Sequence, residues 1–339
     1  MNIRQIAVGM VLLFLPTLLS AQTQIEKLFK EGIAYHDNGD YENAIASYQK
    51  ALALDPKSTL INAEIALSYN TMKDYDNAIK HADLVLKQKS EHLVSAYLTK
   101  GAALNALGKA QESTKTLEKA IKKTDGHYLL HYNLAINYYQ ANDLDQSEEQ
   151  LLKGLGLNQS HPGSHFLLSN IHSVKGNKVQ ALLAAHYFLI LESTSPRSKA
   201  ANAIIQKSFG GNVSKDAEKP NTINISLTLD DSNEFSTSEL MLSMIEASRQ
   251  TEEHEHKSDD EWNIERTTLF FTSLGELNAT KSKSIWTTLY IPLFYDLAKS
   301  DHMEAFCKYI TRSSNEASQL WLSENEEKLS NFATWLQGE

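Results

Sequence analysis

The sequence predicts an all-α protein, built first of repeated helical hairpins and then of a second, smaller helical region. Three observations carry this. Related segments begin at Ile25, Thr59, Val94, Tyr128 and Pro162, spaced by 34, 35, 34 and 34 residues. Within each, apolar residues recur at helical spacing and small residues recur at fixed places. After residue 235 the helical period returns, now with all four tryptophans, Trp262, Trp286, Trp321 and Trp335.

The small residues say where paired helices must approach closely. They are Gly32, Ala66, Gly101, Ala135 and Ser169 on the first helix of each pair, then Ala44, Ala78, Ser113, Ser147 and Ala181 on the second. A larger side chain at these places pushes the helices apart. Three residues after each first-helix small position stands a filler: Tyr35, Tyr69, Leu104, Tyr138 or His172. Gly39, Gly108, Asn142 and Gly176 mark the end of a first helix, where the chain needs left-handed backbone.

This pattern resembles the tetratricopeptide repeat family, in its period, in the small-then-aromatic spacing of the first helix, and in Ala44, Tyr48, Ala51 and Pro56 of the second. The fourth and fifth repeats depart from the family at Gly154, Gln159, Ala185 and Ser193. The resemblance covers about half of the chain and implies a right-handed superhelix of hairpins whose first helices line a concave, partner-binding face. By the family's positions that face comprises Phe29, Ile33 and His36; Leu60, Ala63, Leu67 and Asn70; Leu98, Ala102 and Asn105; Leu129, Tyr132, Ile136 and Tyr139; and Phe166 and Asn170. The resemblance thus implies a protein or peptide partner, with Phe29, Leu67, Tyr132 and Tyr139 as anchors. Family members that grip a C-terminal carboxylate place Lys and Asn where this chain has Phe29 and Ile33, so an apolar segment is the expected occupant.

The expected layout is a signal peptide over 1–21, five repeats with a capping helix over 22–209, a linker over 210–235 with one extended segment, and a helical domain over 236–339. Arg4, the apolar run from Ile6 to Leu19 and the small pair Ser20-Ala21 read as an export signal. The run is short for a membrane span and contains Pro16, so the mature chain is expected to be soluble, in the periplasm of a Gram-negative envelope. Pro196 opens the expected capping helix, with Ala200, Ala203, Ile204 and Lys207 on one side. Gly210 to Pro220 reads as a flexible linker. Asn221 to Leu229 alternates as a half-buried strand does, without a visible partner strand, and is expected to dock on apolar surface of its own chain.

In the last region Ser236 to Glu239 reads as a helix cap. Helices are expected over 260–277 and 285–298, with Pro292 kinking or restarting the second, and shorter ones carry Phe306, Trp321 and Phe332. The region resembles the C-terminal part of exported tetratricopeptide proteins of Bacteroidota.

Candidate chemistry is sparse. His127/His131 and His161/His165 have a spacing that suits zinc on one helix face. Pro162, however, puts His161 ahead of its helix, and His131 and His165 fall where the family has bulky packing residues, so packing is the expected role. His254, His256 and Asp259 could serve a metal-dependent hydrolase in the C-terminal domain, against a solvated loop as the plainer reading. Cys307, the only cysteine, sits among core-like neighbours. Neither a nucleophile elbow nor a phosphate loop is present. The expectation is therefore no catalytic residues, no cofactor and no bound metal, in an interaction scaffold or, alternatively, a structural subunit of an envelope complex. A net charge of -10 and no evident basic stripe argue against nucleic acid or an anionic membrane as partner. N-terminal sequencing of the exported chain is expected to begin within a few residues of Gln22, and an intact Met1 in the soluble fraction would contradict the export reading.

Overall fold

The structure is a computed structural model that describes residues 21–210, 213–215, 218, 222–226, 234–251, 253–278 and 283–338. The expected signal segment thus lies outside the described residues except for Ala21. The chain divides into two compact units, one ending at Leu157 and the other beginning at Asn158.

The first unit consists of hairpins. Its helices are α1, described over 21–37, α2 (Tyr41–Leu54), α3 (Thr59–Thr71), α4 (Tyr75–Leu86), α5 (Leu93–Ala106), α6 (Ala110–Lys123), α7 (Tyr128–Gln140) and α8 (Leu144–Leu157). Local chemistry sets their ends. Asp40, Ser58 and Asp74 accept the backbone N–H three residues on, satisfying donors that a helix start leaves open. The turns out of α1, α5 and α7 pass through left-handed backbone at Gly39, Gly108 and Asn142, as expected. After α3 the same turn uses Lys73, at φ 64°, a residue type that gives no such signal in the sequence.

Close approach is realised at the small residues. Ala44, Ala66, Ala78, Ser113, Ala135 and Ser147 have no exposed surface. Where the second helix has serine, its hydroxyl donates across the hairpin to the small residue opposite: Ser113 Oγ to the Gly101 carbonyl and Ser147 Oγ to the Ala135 carbonyl, both at 2.8 Å. Asn137 Nδ2 then donates to Ser113 Oγ at 2.8 Å, tying α7 to the preceding hairpin. Successive first helices pack on one another, α3 on α5 and α5 on α7. The expected filler Tyr35 is instead exposed; Tyr48 of α2 fills the first hairpin, lying over Gly32 with Ile61 and Ile65 in the same cluster.

The second unit is organised around one helix. Its elements are α9 (Pro162–Lys175), α10 (Lys178–Leu191), α11 (Pro196–Phe209), β1 (Val213–Lys215), β2 (Ile223–Ile225), α12 (Ser236–Ser248), α13 (Asp259–Asn278), a π-helical turn (Trp286–Tyr290), α14 (Ile291–Lys299), α15 (Met303–Thr311), α16 (Glu316–Glu324) and α17 (Glu326–Leu336). Pro292 restarts the helix in the first turn of α14, as expected. Helix α10 is apolar on nearly every side, and Val179, Ala181, Leu182, Leu183, Ala184, Ala185, Phe188 and Leu189 are all fully buried. Such a helix needs cover all round. It receives it from α9, α11, α12, α15 and the π-helical turn.

Four expectations for this unit need correction. The linker contains β1, which pairs antiparallel with β2, Val213 opposite Ile225 and Lys215 opposite Ile223; the extended segment does have a partner. Both strands pack against α12, while Leu227 and Leu229 lie outside the described residues. Second, the N-cap position of α12 falls on Phe235, ahead of Ser236 to Glu239, and Phe235 makes no side-chain cap bond. Glu239 Oε1 instead accepts the Lys178 N–H at 3.0 Å, at the first turn of α10. Third, α11 buries Ala201, Asn202, Ile204, Ile205, Ser208 and Phe209, whereas Ala200, Ala203 and Lys207 are exposed. The face differs because α12 and α15 cover α11 as well as α10 does, and Asn202 Nδ2 donates to the Ile310 carbonyl at 3.0 Å. Fourth, the 251–258 loop is not simply solvated: His254 is buried against Trp262, with ring centroids 5.4 Å apart, and Arg249 donates to the carbonyls of His254 and Lys257.

A Cβ at Gly32 would fall on the Tyr48 ring, and Tyr48 has no exposed surface into which to swing. Gly32→Ala gains about 0.5–1 kcal/mol of helix preference but incurs about 1–3 kcal/mol of overpacking. The variant is expected to unfold at lower denaturant. Combining it with Tyr48→Leu is expected to lose less stability than the sum of the two single changes.

Candidate functional site

The first helices of the first unit present the residues expected to bind a partner. Ile33, Leu60 and Leu67 are the most exposed of these, at 37%, 37% and 41%. Phe29, Leu98, Ala102, Leu129, Tyr132, Ile136 and Tyr139 are half-buried. Two side-chain bonds connect this row from one helix to the next. His36 Nδ1 lies 2.9 Å from Ser68 Oγ, joining α1 to α3, and Asn105 Nδ2 donates to Gln140 Oε1 at 2.8 Å, joining α5 to α7. Ser68 and Gln140 were absent from the expected set. The residue after each family position gave no signal of its own, since a short polar side chain one step round a helix reads as solvated.

Other expected residues are taken up by packing. Ala63 is buried with Ala66, Ala82, Val85 and Ala96. Phe29 lies against Tyr48, ring centroids 5.7 Å apart. Asn70 is half-buried. Phe166 and Asn170 belong to the second unit, where Phe166 packs 5.0 Å from Phe188 with the Arg197 guanidinium 5.8 Å from its centroid, and Asn170 Nδ2 donates to the Phe166 carbonyl at 2.7 Å.

The histidine pairs serve helix ends and interiors. His127 and His161 stand at the starts of α7 and α9 and accept backbone N–H groups through Nδ1, from Leu129 at 3.3 Å and Ser164 at 3.2 Å. His131 Nδ1 lies 2.9 Å from Gln150 Oε1. His165 is buried, with Nε2 2.7 Å from the Gln159 carbonyl. A carbonyl only accepts, so Nε2 carries the proton and Nδ1 accepts from the Tyr290 hydroxyl at 2.7 Å. His254, His256 and Asp259 do not converge: His254 is buried beside Lys257 and Glu265, while the other two side chains are exposed. Among the described residues no group of three His, Cys, Asp or Glu side chains is placed to hold a metal ion. Burial pushes the Cys307 thiol up to about 12, which keeps it protonated and unreactive.

Crevices occur in both units. One, of about 590 Å³ in the second unit, is lined by Asn202, Gln206, Glu246, Arg249, Trp262 and Arg266 among others. Its ionic groups are largely engaged with one another: Arg266 donates to Asn263 Oδ1 at 2.9 Å, sits 3.5 Å from Glu246 and lies over the Phe209 ring at 4.4 Å. The other, in the first unit, is basic, and it corrects the expectation that the chain has no basic stripe. Lys115, Lys119 and Lys123 recur at four-residue spacing on α6, and Lys119 and Lys123 line this crevice with Lys87 and Lys100.

Residues 32–73 match the family described as TPR repeat. Tetratricopeptide repeat protein 28 of Homo sapiens is 32% identical over 91 residues, 27% of this chain and 4% of that protein. Small glutamine-rich tetratricopeptide repeat-containing protein 2 of Saccharomyces cerevisiae is 28% identical over 100 residues, 30% of this chain and 29% of that protein. The chain therefore spans less than a third of the length of these relatives. Among solved structures, PilF of Pseudomonas aeruginosa is similar at 18% identity and a TM-score of 0.48, covering 56% of this chain and 90% of that one. A thermophilic tetratricopeptide protein of Thermus thermophilus is similar at 16% identity and a TM-score of 0.45, covering 54% and 98%. The family match and the relatives support tetratricopeptide repeats in this chain. Among the described residues no helix is long and apolar enough to cross a membrane.

Burial holds both His165 and His186 down to about 4, from an ordinary 6.5. His186 sits among Phe271, Phe294 and Phe306 with Nδ1 2.8 Å from the Leu182 carbonyl. Between pH 6.5 and 4 the unfolded chain takes up these protons and the folded one does not, so stability falls as pH drops through that window. Each group is worth roughly 3 kcal/mol across it. Denaturant unfolding of the second unit from pH 7 to 4.5 is expected to show this loss, and His186→Leu to make the dependence shallower by roughly half.

Proposed function

We propose that this chain is an exported interaction scaffold of a Gram-negative envelope, and that the first helices of its repeats hold an apolar peptide or helix. Residues 22–209 supply the repeats in this reading, and residues 236–339 form the helical domain that follows them. The observation that carries it is the exposure of Ile33, Leu60 and Leu67 on the first helices α1 and α3, flanked by half-buried Tyr132, Ile136 and Tyr139 farther along. Aliphatic and aromatic side chains left part-exposed in one row are what an amphipathic partner covers, and large apolar groups in such a row carry most of the binding energy.

The polar members fit the same role. His36, Asn70 and Asn105 lie late in their helices, and the bonds of His36 to Ser68 and of Asn105 to Gln140 fix two of these side chains. They offer a partner's backbone a few oriented donors and acceptors at the edge of an otherwise apolar face. The relatives are tetratricopeptide proteins by name, which agrees with a scaffold and with chemistry being done elsewhere.

A photo-crosslinking residue placed at Ile33 or Leu67 and expressed in the native cell is expected to capture the same polypeptide from both positions. A crosslinker at Leu84, exposed on the second helix α4, is expected not to capture it. Leu60→Asp with Leu67→Asp is expected to abolish the capture with little change in melting temperature. Equal capture from Leu84, or capture that survives the double change, would overturn the proposed face.

A further inference from the structure

We propose that the third hairpin carries, on the side of its second helix, a binding site for a phosphate-bearing anion, in the crevice walled by α4 and α6 with α5 beneath. The crevice encloses about 340 Å³ and is lined by Lys87, Lys100, Lys119 and Lys123 with Tyr97 and Thr116, and also by Asp83 and Leu86. Lys100 Nζ is bound to Asp83 Oδ1 at 2.6 Å, so the one carboxylate of the lining is already neutralised. Among the described residues Lys87, Lys119 and Lys123 have no carboxylate partner. Three uncompensated lysines therefore face one crevice in a chain whose net charge is -10.

Isolated surface lysines need no explanation, because water solvates them and neighbouring acids are plentiful. Lysines gathered around one concavity are different, since each raises the free energy of the others' charge and an anion between them lowers it. The floor adds neutral donors. Tyr97 is only 3% exposed and lines the crevice, and neither its hydroxyl nor that of Thr116 has a hydrogen-bond partner among the described residues. Below them Leu117 and Ala120 are buried, which gives α6 a fixed seat against α5.

The donor set selects the anion. Planar carboxylates are best met by the fork of an arginine, and this crevice has none. Lysines are compact point charges that can surround a tetrahedral group carrying two or more charges, with hydroxyls filling the remaining oxygen positions. A phosphoryl group fits that description whether it is free, as in inorganic pyrophosphate, or belongs to an anionic lipid headgroup. The site is separate from the first-helix row and does not rest on the scaffold reading.

The test uses the full chain titrated calorimetrically at low ionic strength with inorganic pyrophosphate, and by flotation with phosphatidylcholine vesicles with and without phosphatidic acid. Binding of at least one phosphate probe is expected, weakening as salt rises. Lys119→Gln with Lys123→Gln is expected to weaken it by about tenfold or more, and Tyr97→Phe by a smaller factor. Lys30→Gln with Lys50→Gln, the same charge change on α1 and α2, which contribute nothing to the crevice, is expected to leave affinity unchanged. Vesicle binding that requires phosphatidic acid and is lost in the crevice variant assigns the lipid source, and pyrophosphate binding without vesicle binding assigns the soluble one. Failure to bind either probe, equal weakening by the two lysine pairs, or tighter binding of a polyglutamate peptide than of pyrophosphate would overturn the proposal.

Discussion

The close approach of the two helices in each hairpin is the constraint on which the first unit depends. Gly32 under Tyr48 is its clearest case, because the ring occupies the space that any Cβ would need. With the helices that near, their backbones become available to each other, and the serines at the second-helix positions use this. Ser113 and Ser147 both donate to the carbonyl of the small residue opposite. A serine at a fully buried position is costly unless it is bonded, so each of these bonds also fixes the sliding register of its hairpin. Asn137 extends the tie to the neighbouring hairpin, and stacking follows from side chains already held in place.

The second unit applies the same hairpin to a different end. In α9 and α10, histidines meet helices from the C-terminal region. His165 meets Tyr290, His172 meets Trp286 at 5.0 Å, and His186 meets Phe271. Neutral imidazole is well suited to such places: it is itself a planar aromatic ring that packs on other rings, and in His165 its donor and its acceptor are both used, on the Gln159 carbonyl and the Tyr290 hydroxyl. Its drawback is that burial disfavours protonation of His165 and His186, so the packing that stabilises this unit at neutral pH also makes it sensitive to acid.

Features that repeat were legible in the sequence, and features that depend on a single long-range contact were not. The hairpin period, the small positions, three of the four left-handed turns that end first helices in the first unit and the fifth hairpin's turn at Gly176 could be read directly, since each is dictated by local geometry and recurs. Lys73 escaped because a lysine adopts left-handed backbone only when its neighbours require it. Glu239 resembled a local cap because local spacing alone cannot say that the donor awaiting it is Lys178, 61 residues earlier in the chain. The buried face of α11 was misread for the same reason, since α12 and α15 choose it. The strand β1 is three residues of a polar stretch, and pairing with β2 rather than composition makes it a strand. At the candidate site, Ile33, Leu60 and Leu67 could be located by repeat position, whereas the burial of Ala63 depends on α4 and α5 closing over it.

The two surfaces of the first unit are made of different residue types for a reason that lies in the stacking. First helices pack on first helices, so their free faces form one row in which side chains are partly shielded by neighbours, and apolar groups there lose only part of their contact with water. Second helices are spaced apart, so the space between α4 and α6 is open enough for long charged side chains to stay hydrated at their tips while their stems lie along the walls. An apolar row and a basic crevice are therefore compatible on one small unit. Burial of the row is driven by dehydration, whereas the potential of the crevice comes from charge and is screened by salt, so the two surfaces differ in the physics that would act on each.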